Sequence, residues 1–359
     1  MAGQRPAFQI MAGQRPAFQI MAGQRPAFQI RRMQLVLDTK GLQLVKKDGV
    51  FHIIGEKGSK AISPAKLDSI AITASVMVSS DAIALAIQHQ VPILVFDRVG
   101  KAKARLWSPY FESIATLRRL QVRFCDSPES TAWMLDLFAL KTEAQADNLK
   151  YLRSRRSVLN VALAQPISQI RRISRGFEEF RDKLPEECRQ QVMGVEGSVA
   201  RVYWQAVGGS LPGAYIFTGR SRRPAKDIFN AGINYLYGML YSVVEGALFA
   251  SGLDPHLGIL HADEYNKPTL AYDLIEPFRP WMDRLLIEQC MDRKLKESFF
   301  TKNQYGIFLN KEGKAAIIPL FNDFMRSKTT YLQQESTVKN HIYFTAGRLA
   351  QRIRVVMES

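Results

Sequence analysis

Glu196 is an acid set among small and aromatic residues. It lies in Gly194-Val-Glu196-Gly197-Ser-Val-Ala200-Arg-Val-Tyr203-Trp204, which reads as the first turns of a helix. Residues four apart share a helical face, so Glu196 lines up with Ala200 and Trp204. A carboxylate on such a face needs a cation, a proton or strong hydrogen bonds. Gly197 and Ala200 keep that face slim. His261 is a second candidate, in Gly258-Ile-Leu-His261-Ala-Asp-Glu264, after an apolar approach and before a polar turn. Twelve residues later, Ala271-Tyr-Asp273-Leu-Ile-Glu276 places two acids three apart, on one face if 270–275 begins a helix.

Each of these residues alone has an ordinary explanation. A lone histidine usually packs or faces solvent, and acids near a helix start complement its dipole. Taken together, carboxylates with one imidazole form a donor set suited to Mg²⁺ or Mn²⁺. The histidine favours Mn²⁺, and the absence of thiolates argues against structural zinc. Such an ion in a basic protein points to phosphodiester chemistry, polarising the scissile phosphate and activating water or a 3′-hydroxyl.

The chain is basic: 49 Lys and Arg against 33 Asp and Glu give +16 over 359 residues. That balance fits a polyanionic partner, most often nucleic acid. Three widely spaced cysteines, Cys125, Cys188 and Cys290, form neither a disulfide framework nor a Cys-x-x-Cys metal pair, which fits a reducing cytosol. No apolar run approaches the roughly 18 residues of a membrane span.

Residues 1–30 repeat Met-Ala-Gly-Gln-Arg-Pro-Ala-Phe-Gln-Ile three times without change. Structural repeats are longer and diverge, so residues 1–32 are set aside as a leader expected to be weakly ordered, with Met33 a possible start. Residues 33–107 read as a small β domain. Its strands are predicted at 34–38, 41–45, 50–54, 67–73, 92–97 and 101–107. Asp48-Gly49 is a hairpin signal, and Ser79-Ser80-Asp81 caps a helix to about residue 90. From about residue 108 to 359 the period becomes helical, with helices predicted at 112–124, 130–159, 167–183, 186–205 and 226–251. The many arginines between 118 and 175 read mostly as solvated faces with i,i+4 pairs. The loop Thr218-Gly-Arg220-Ser-Arg222-Arg223-Pro-Ala-Lys226 is different: four bases in seven residues make a phosphate-binding loop.

The same residues carry a family resemblance. Val95-Phe-Asp-Arg-Val-Gly100 with Ala104-Arg-Leu106, the Glu196 stretch, Asp227-Ile-Phe-Asn230-Ala231 through Asn234-Tyr235 and Tyr237, Gly252-Leu-Asp-Pro255 to His261, and Tyr272-Asp273-Leu-Ile-Glu276 with Phe278-Arg279-Pro280 and Asp283-Arg284 follow in order. The chain thereby resembles the CRISPR-associated spacer-acquisition integrase, the first-numbered Cas protein, from about residue 33 to about residue 355.

The resemblance implies an α+β fold, a small N-terminal β-sheet domain followed by a larger all-α C-terminal catalytic domain. It implies a homodimer pairing through the N-terminal domains, and two such dimers clamping a dimer of the small second-numbered Cas protein as a heterohexamer on double-stranded DNA. Glu196, His261, Asp273 and Glu276 become the catalytic metal site for Mg²⁺ or Mn²⁺, with either Asp273 or Glu276 as the direct ligand. Asn230, Tyr235 and Arg220 or Arg223 become DNA-handling residues, and Arg279 braces the second carboxylate motif. The implied reaction joins prespacer 3′-hydroxyl ends into a CRISPR repeat array by transesterification. Two rivals are a structure-selective nuclease acting on branched DNA and a non-catalytic DNA-binding scaffold.

Overall fold

The computed structural model describes residues 33–56, 58–89, 91–96, 102–106, 115–156, 159–261 and 267–358. The leader, and the change of pattern expected near residue 108, lie outside them. The N-terminal part contains β1 (Met33–Leu37), β2 (Gln43–Lys47), β3 (Val50–Gly55), β4 (Gly58–Ile62), β5 (Leu67–Ile72), β6 (Met77–Val78), α1 (Ser80–Gln88), β7 (Ile93–Phe96) and β8 (Ala102–Leu106). They form two four-stranded sheets, ordered β1-β5-β7-β8 and β4-β3-β2-β6. In the first, β1, β5 and β7 are parallel and β8 closes the edge antiparallel.

The β2–β3 hairpin forms where the sequence signals it. Asp48 and Gly49 both have positive φ, 50° and 73°, the conformation of a tight hairpin turn. Leu44 and Phe51 are both fully buried, while Lys46 and Lys47, at the hairpin end of β2, are exposed. Each buried side chain of this size contributes about 1.5–3 kcal/mol. Ser79 caps α1 by accepting from the Ala82 amide at 3.2 Å, and Ala82, Leu85 and Ala86 pack against the same core.

A second, larger core belongs to the helical part. Its elements are α2 (Ala115–Cys125), α3 (Pro128–Arg155), the short α4 (Leu159–Ala162), α5 (Ala164–Ser174), α6 (Pro185–Ser210), α7 (Ile228–Ala250), α8 (Thr269–Leu274), α9 (Arg279–Met291), β9 (Phe300–Asn303), β10 (Gly306–Leu309), α10 (Lys311–Arg326), β11 (Lys328–Tyr331), β12 (Gln334–Thr337) and α11 (Val338–Glu358). The apolar helix α7 runs through the centre and packs against α8, α9 and α11. Its approach to α9 depends on Gly232, where a Cβ would lie 3.3 Å from two methyls of Leu286. Two antiparallel hairpins, β9–β10 and β11–β12, add to the helices; the sequence pattern did not point to them. Among the described residues no helix is long and apolar enough to cross a membrane.

Two helices set the geometry of everything that follows. The paired residues of α3 and α6 advance together along both helices, so these helices run parallel and in step. Lys141 meets Glu196. Asn148 donates to the Tyr203 hydroxyl at 3.0 Å, and Arg156, just past α3, donates to the Ser210 carbonyl at 3.1 Å. Steps of about seven residues keep the same seam facing the partner.

Candidate functional site

Glu196 sits in the middle of α6, not in its first turns, because the helix already begins at Pro185. Its partner in the structure is a residue the sequence did not single out. Lys141, on α3 and 7% exposed, reaches between two carboxylates. Its ammonium donates to Oε1 of Glu196 and, at 2.6 Å, to Oε2 of Glu276. A lysine in a long amphipathic helix looks like any surface lysine. What distinguishes this one is its place on the seam that α3 presents to α6, which becomes visible only once the two helices are set in register.

Glu276 is 3% exposed and doubly held. Its Oε1 pairs with the Arg279 guanidinium at 2.9 Å, the bracing expected of Arg279. Arg279 also donates to the Tyr241 hydroxyl and lies over the rings of Tyr237 and Tyr241. Burial pushes the Glu276 carboxyl up, but Arg279 and Lys141 outweigh it and hold it at about 2. Burial likewise pulls the Lys141 ammonium down, and Glu276 and Glu196 more than reverse that. Glu196, 20% exposed, is the wet end of the cluster.

Asp273 and Glu276 do not act as one face. Asp273 lies in the last turn of α8, fully buried, and Glu276 in the short 3-10 turn (Glu276–Phe278) that follows. Both oxygens of Asp273 are engaged with the loop before α8. Oδ2 accepts from the Ile259 amide at 2.7 Å. Oδ1 accepts from the His261 amide at 3.2 Å and from His261 Nδ1 at 2.7 Å. A carboxylate on Nδ1 fixes the tautomer with the proton there and leaves Nε2 with its lone pair. The His261 ring is 26% exposed, packs edge-on to Tyr272 at 5.8 Å and lies within electrostatic reach of Glu276.

Among the described residues no three of His, Cys, Asp and Glu converge as a ready metal cage. Lys141 spans the gap between the two glutamates instead. A cation seated between two carboxylates, with an imidazole nitrogen nearby, marks a place whose chemistry favours positive charge. The donor types here, two carboxylates and an imidazole nitrogen, are ones that a hard divalent ion accepts.

The α6 surface next to Glu196 is open. A Cβ on Gly194 or Gly197 would meet nothing within 4 Å. A cleft of about 220 Å³ begins there, lined by Gly197, Ala200, Arg201, Trp204, Thr218 and Arg220. Its Arg220 is not a free loop cation. It donates to Asn230 and, at 2.8 Å, to Asn234, and stacks over Trp204 and Tyr237 at 5.2 and 5.6 Å. Burial lowers its pKa.

Asn230 departs from its expected DNA-handling role. It is fully buried and braces the 218–226 loop, accepting from Arg220 and the Ser221 amide and donating to the Gly219 carbonyl and Asp227. Tyr235 is half-buried against the helical core, its hydroxyl pushed up by burial and by Asp38 after β1. Arg222, Arg223 and Lys226 are exposed, and none has an ion-pair partner among the described residues.

Across 35–323 the chain matches the family model described as CRISPR associated protein Cas1. Similar proteins include a CRISPR-associated endonuclease Cas1 of Archaeoglobus fulgidus, 28% identical over 83% of this chain and 90% of that one. Another, from Hyperthermus butylicus, is 28% identical over 89% and 95%. Among solved structures, a casposase bound to integration product superposes with a TM-score of 0.76 at 23% identity, covering 91% of this chain and 92% of that one. A Cas1 protein from Thermotoga maritima gives 0.75 at 21% identity, over 89% and 96%. The fold is thus that of Cas1 proteins, a β-sheet region followed by a mostly helical one. The chain belongs to the CRISPR-associated Cas1 family.

Proposed function

We propose that this protein is a metal-dependent DNA integrase of CRISPR adaptation, joining prespacer 3′-hydroxyl ends to the edge of a CRISPR repeat. The observation that carries this reading is the Glu196–Lys141–Glu276 bridge beside the Asp273-oriented His261. Membership of the Cas1 family and curated relatives called endonucleases support it.

The reaction exchanges one ester for another. The attacking 3′ oxygen bonds to phosphorus, and the bond from phosphorus to the repeat strand's 3′ oxygen breaks. The proton lost by one hydroxyl is matched by the proton the other gains. A bound Mg²⁺ or Mn²⁺ would supply concentrated positive charge at the phosphodiester. Glu196, Glu276 and His261 Nε2 would hold it. Asp273 is then the group that orients His261, not a ligand, since both its oxygens are already in use.

Lys141 has a second role in this reading. The glutamate pair and its two cations, Lys141 and Arg279, balance in charge; a dication would add two positive charges in excess, which phosphate oxygens would offset. Arg279 is anchored on Glu276 and Tyr241, so Lys141 is the one free to turn toward the phosphate oxygens. The open α6 face at Gly197 gives the strand its approach, and Arg222, Arg223 and Lys226 hold backbone phosphates without reading bases.

The assembly proposed with this activity is a homodimer joined through the N-terminal sheets, two of which flank a dimer of the small second-numbered Cas protein. Met77 and Leu106, 66% and 40% exposed in β6 and β8, supply apolar surface for such pairing. One neighbour by fold is a chain of a Cas6-RT-Cas1–Cas2 complex, with a TM-score of 0.74 at 22% identity.

The test is incubation with a 3′-hydroxyl duplex and a supercoiled repeat array in Mn²⁺ or Mg²⁺. Joined strands support the integrase. Cleavage without joining replaces it with the nuclease, and neither activity leaves a scaffold.

A further inference from the structure

The chain that leads from α7 to His261 has no regular secondary structure, yet its backbone is tied down from Asp254 onward. At the start, the buried Gln121 of α2 spends its whole side-chain amide on one residue. Its Nε2 donates to the Asp254 carbonyl at 2.8 Å, and its Oε1 accepts from the Asp254 amide at 2.9 Å. The Pro255 carbonyl then accepts from the Leu270 amide at 2.9 Å, and the His256 carbonyl from the Thr269 hydroxyl at 2.7 Å. At Gly258 the chain turns back on itself, where a Cβ would lie 2.4 Å from the His261 carbonyl oxygen.

Near His261 the backbone of Ile259 is held by two different helices. Asp273 of α8 accepts from its amide, and Arg189 of α6 donates Nη2 to its carbonyl at 3.2 Å. Arg189 is an expensive residue to keep there, because its Nε is buried with no hydrogen-bond partner among the described residues. An unpaired buried donor is destabilising, and an unbranched apolar side chain would avoid that cost. What the guanidinium brings in exchange is a donor for the Ile259 carbonyl.

The place of Arg189 in the sequence gives this tie its meaning. It lies seven residues before Glu196 in α6, about two turns along the same face. One helix therefore carries both Glu196 and the tie to a residue two before His261. Gln121 fixes the other end of the same run to α2.

We propose that Arg189 and Gln121 are positioning residues for His261. They hang its loop from α6 and α2, and so hold the imidazole on Asp273 beside the glutamate pair. The importance of this for function rests on the reading of His261 as a metal ligand; the positioning itself does not.

The test uses the full chain with its five histidines labelled with ¹⁵N, free of metal, in two-bond ¹H–¹⁵N correlation spectra. The His261 signal is the one lost in His261→Gln. A tie that only stabilised the fold would lower the melting temperature and leave the His261 tautomer alone. In the wild type His261 should carry its proton on Nδ1. In Arg189→Met, and separately in Gln121→Met, its signal should move toward a mixture of the two tautomers while His52, His89 and His341 stay in place. Arg189→Lys, which can donate to the same carbonyl, should restore most of the wild-type pattern. Added Mn²⁺ should bind about tenfold more weakly to Arg189→Met than to the wild type. A mixed tautomer already present in the wild type, or the wild-type tautomer in both Met variants, overturns the proposal. Movement of all five signals in both Met variants also overturns it, since the ties then serve the fold as a whole. A change in only one of them overturns the role of the other residue. A changed tautomer in a protein whose wild type binds no Mn²⁺ keeps the positioning and removes the metal site.

Discussion

The helical part buries two polar clusters on the same seam, about two helical turns apart, and they are built on opposite principles. The upper one holds Lys141, Glu196, Glu276 and Arg279, all charged, and opens at Glu196 to an uncovered helix face. The lower one holds Asn148, Tyr203, Tyr237 and Asp283, with Tyr203 and Tyr237 donating to Asp283 at 3.0 and 2.6 Å. No cation touches Asp283 among the described residues, and burial pushes it up to about 6 despite the hydroxyls from Tyr237 and Tyr203. Two acids of one seam, seven residues apart in sequence, are held at opposite ends of the carboxylate range. One cluster is kept ionised and reachable, as a site for a cation must be. The other is easier to protonate and is closed, as a structural hydrogen-bond network is.

The contrast can be broken at several points. Glu196→Ala or His261→Ala should each reduce joining about 10³-fold in a strand-transfer assay. Asp283→Asn should leave joining within a few-fold. Equal losses in both clusters would end the distinction between them.

Lys141→Met leaves two facing glutamates without their ammonium. The metal-free protein should lose about 3 kcal/mol of stability. Thermal melts with and without Mn²⁺ check this, since the ion should restore more stability to the variant than to the wild type.

The two acids should also give opposite pH dependences. Glu276 is held below its ordinary value, so its contribution is present above about 4.5 and lost as pH falls toward 2. Asp283 is raised, so its contribution is present below about 3.8 and lost as pH rises through about 6. Asp283→Asn should therefore gain about 3 kcal/mol on the wild type between pH 4 and pH 8, read from denaturant melts. Glu276→Gln should instead narrow its deficit only as the solution is acidified.

Smaller effects probe the edges of the site. Asp273→Asn releases the His261 tautomer and should weaken Mn²⁺ binding 10- to 100-fold by calorimetry. Arg222→Ala with Arg223→Ala should lower DNA affinity about equally for all sequences and reduce the salt slope by about 2.

Much of this was legible in the sequence. Glu196, His261, Asp273 and Glu276 stand out because acids and imidazole are costly in apolar surroundings. The hairpin at Asp48-Gly49 and the cap at Ser79 rest on local chemistry alone. Lys141 and Asn148 were not legible, since their meaning depends on a helix 55 residues away arriving in register. The division of labour between Asp273 and Glu276 was open for the same reason: it is set by the loop at Ile259 and His261, which no period encodes. The β11–β12 hairpin lacks the usual signal altogether. Its turn places Leu332 and Gln333 at φ of 50° and 63°, positions where Asn or Gly would have announced it. The DNA-handling role that the resemblance implied for Asn230 misled because this residue, in the first turn of α7, is the brace that holds the loop.

The central claim is that the charged cluster, with Glu276 as a direct ligand, holds a divalent ion in place of the Lys141 ammonium. The measurement that reaches it most directly is Mn²⁺ binding followed by electron paramagnetic resonance, with equimolar ion and protein, in the wild type and in Glu276→Gln. The account predicts that the free-ion signal is lost with the wild type and persists with the variant. An equal loss of signal in both would contradict it.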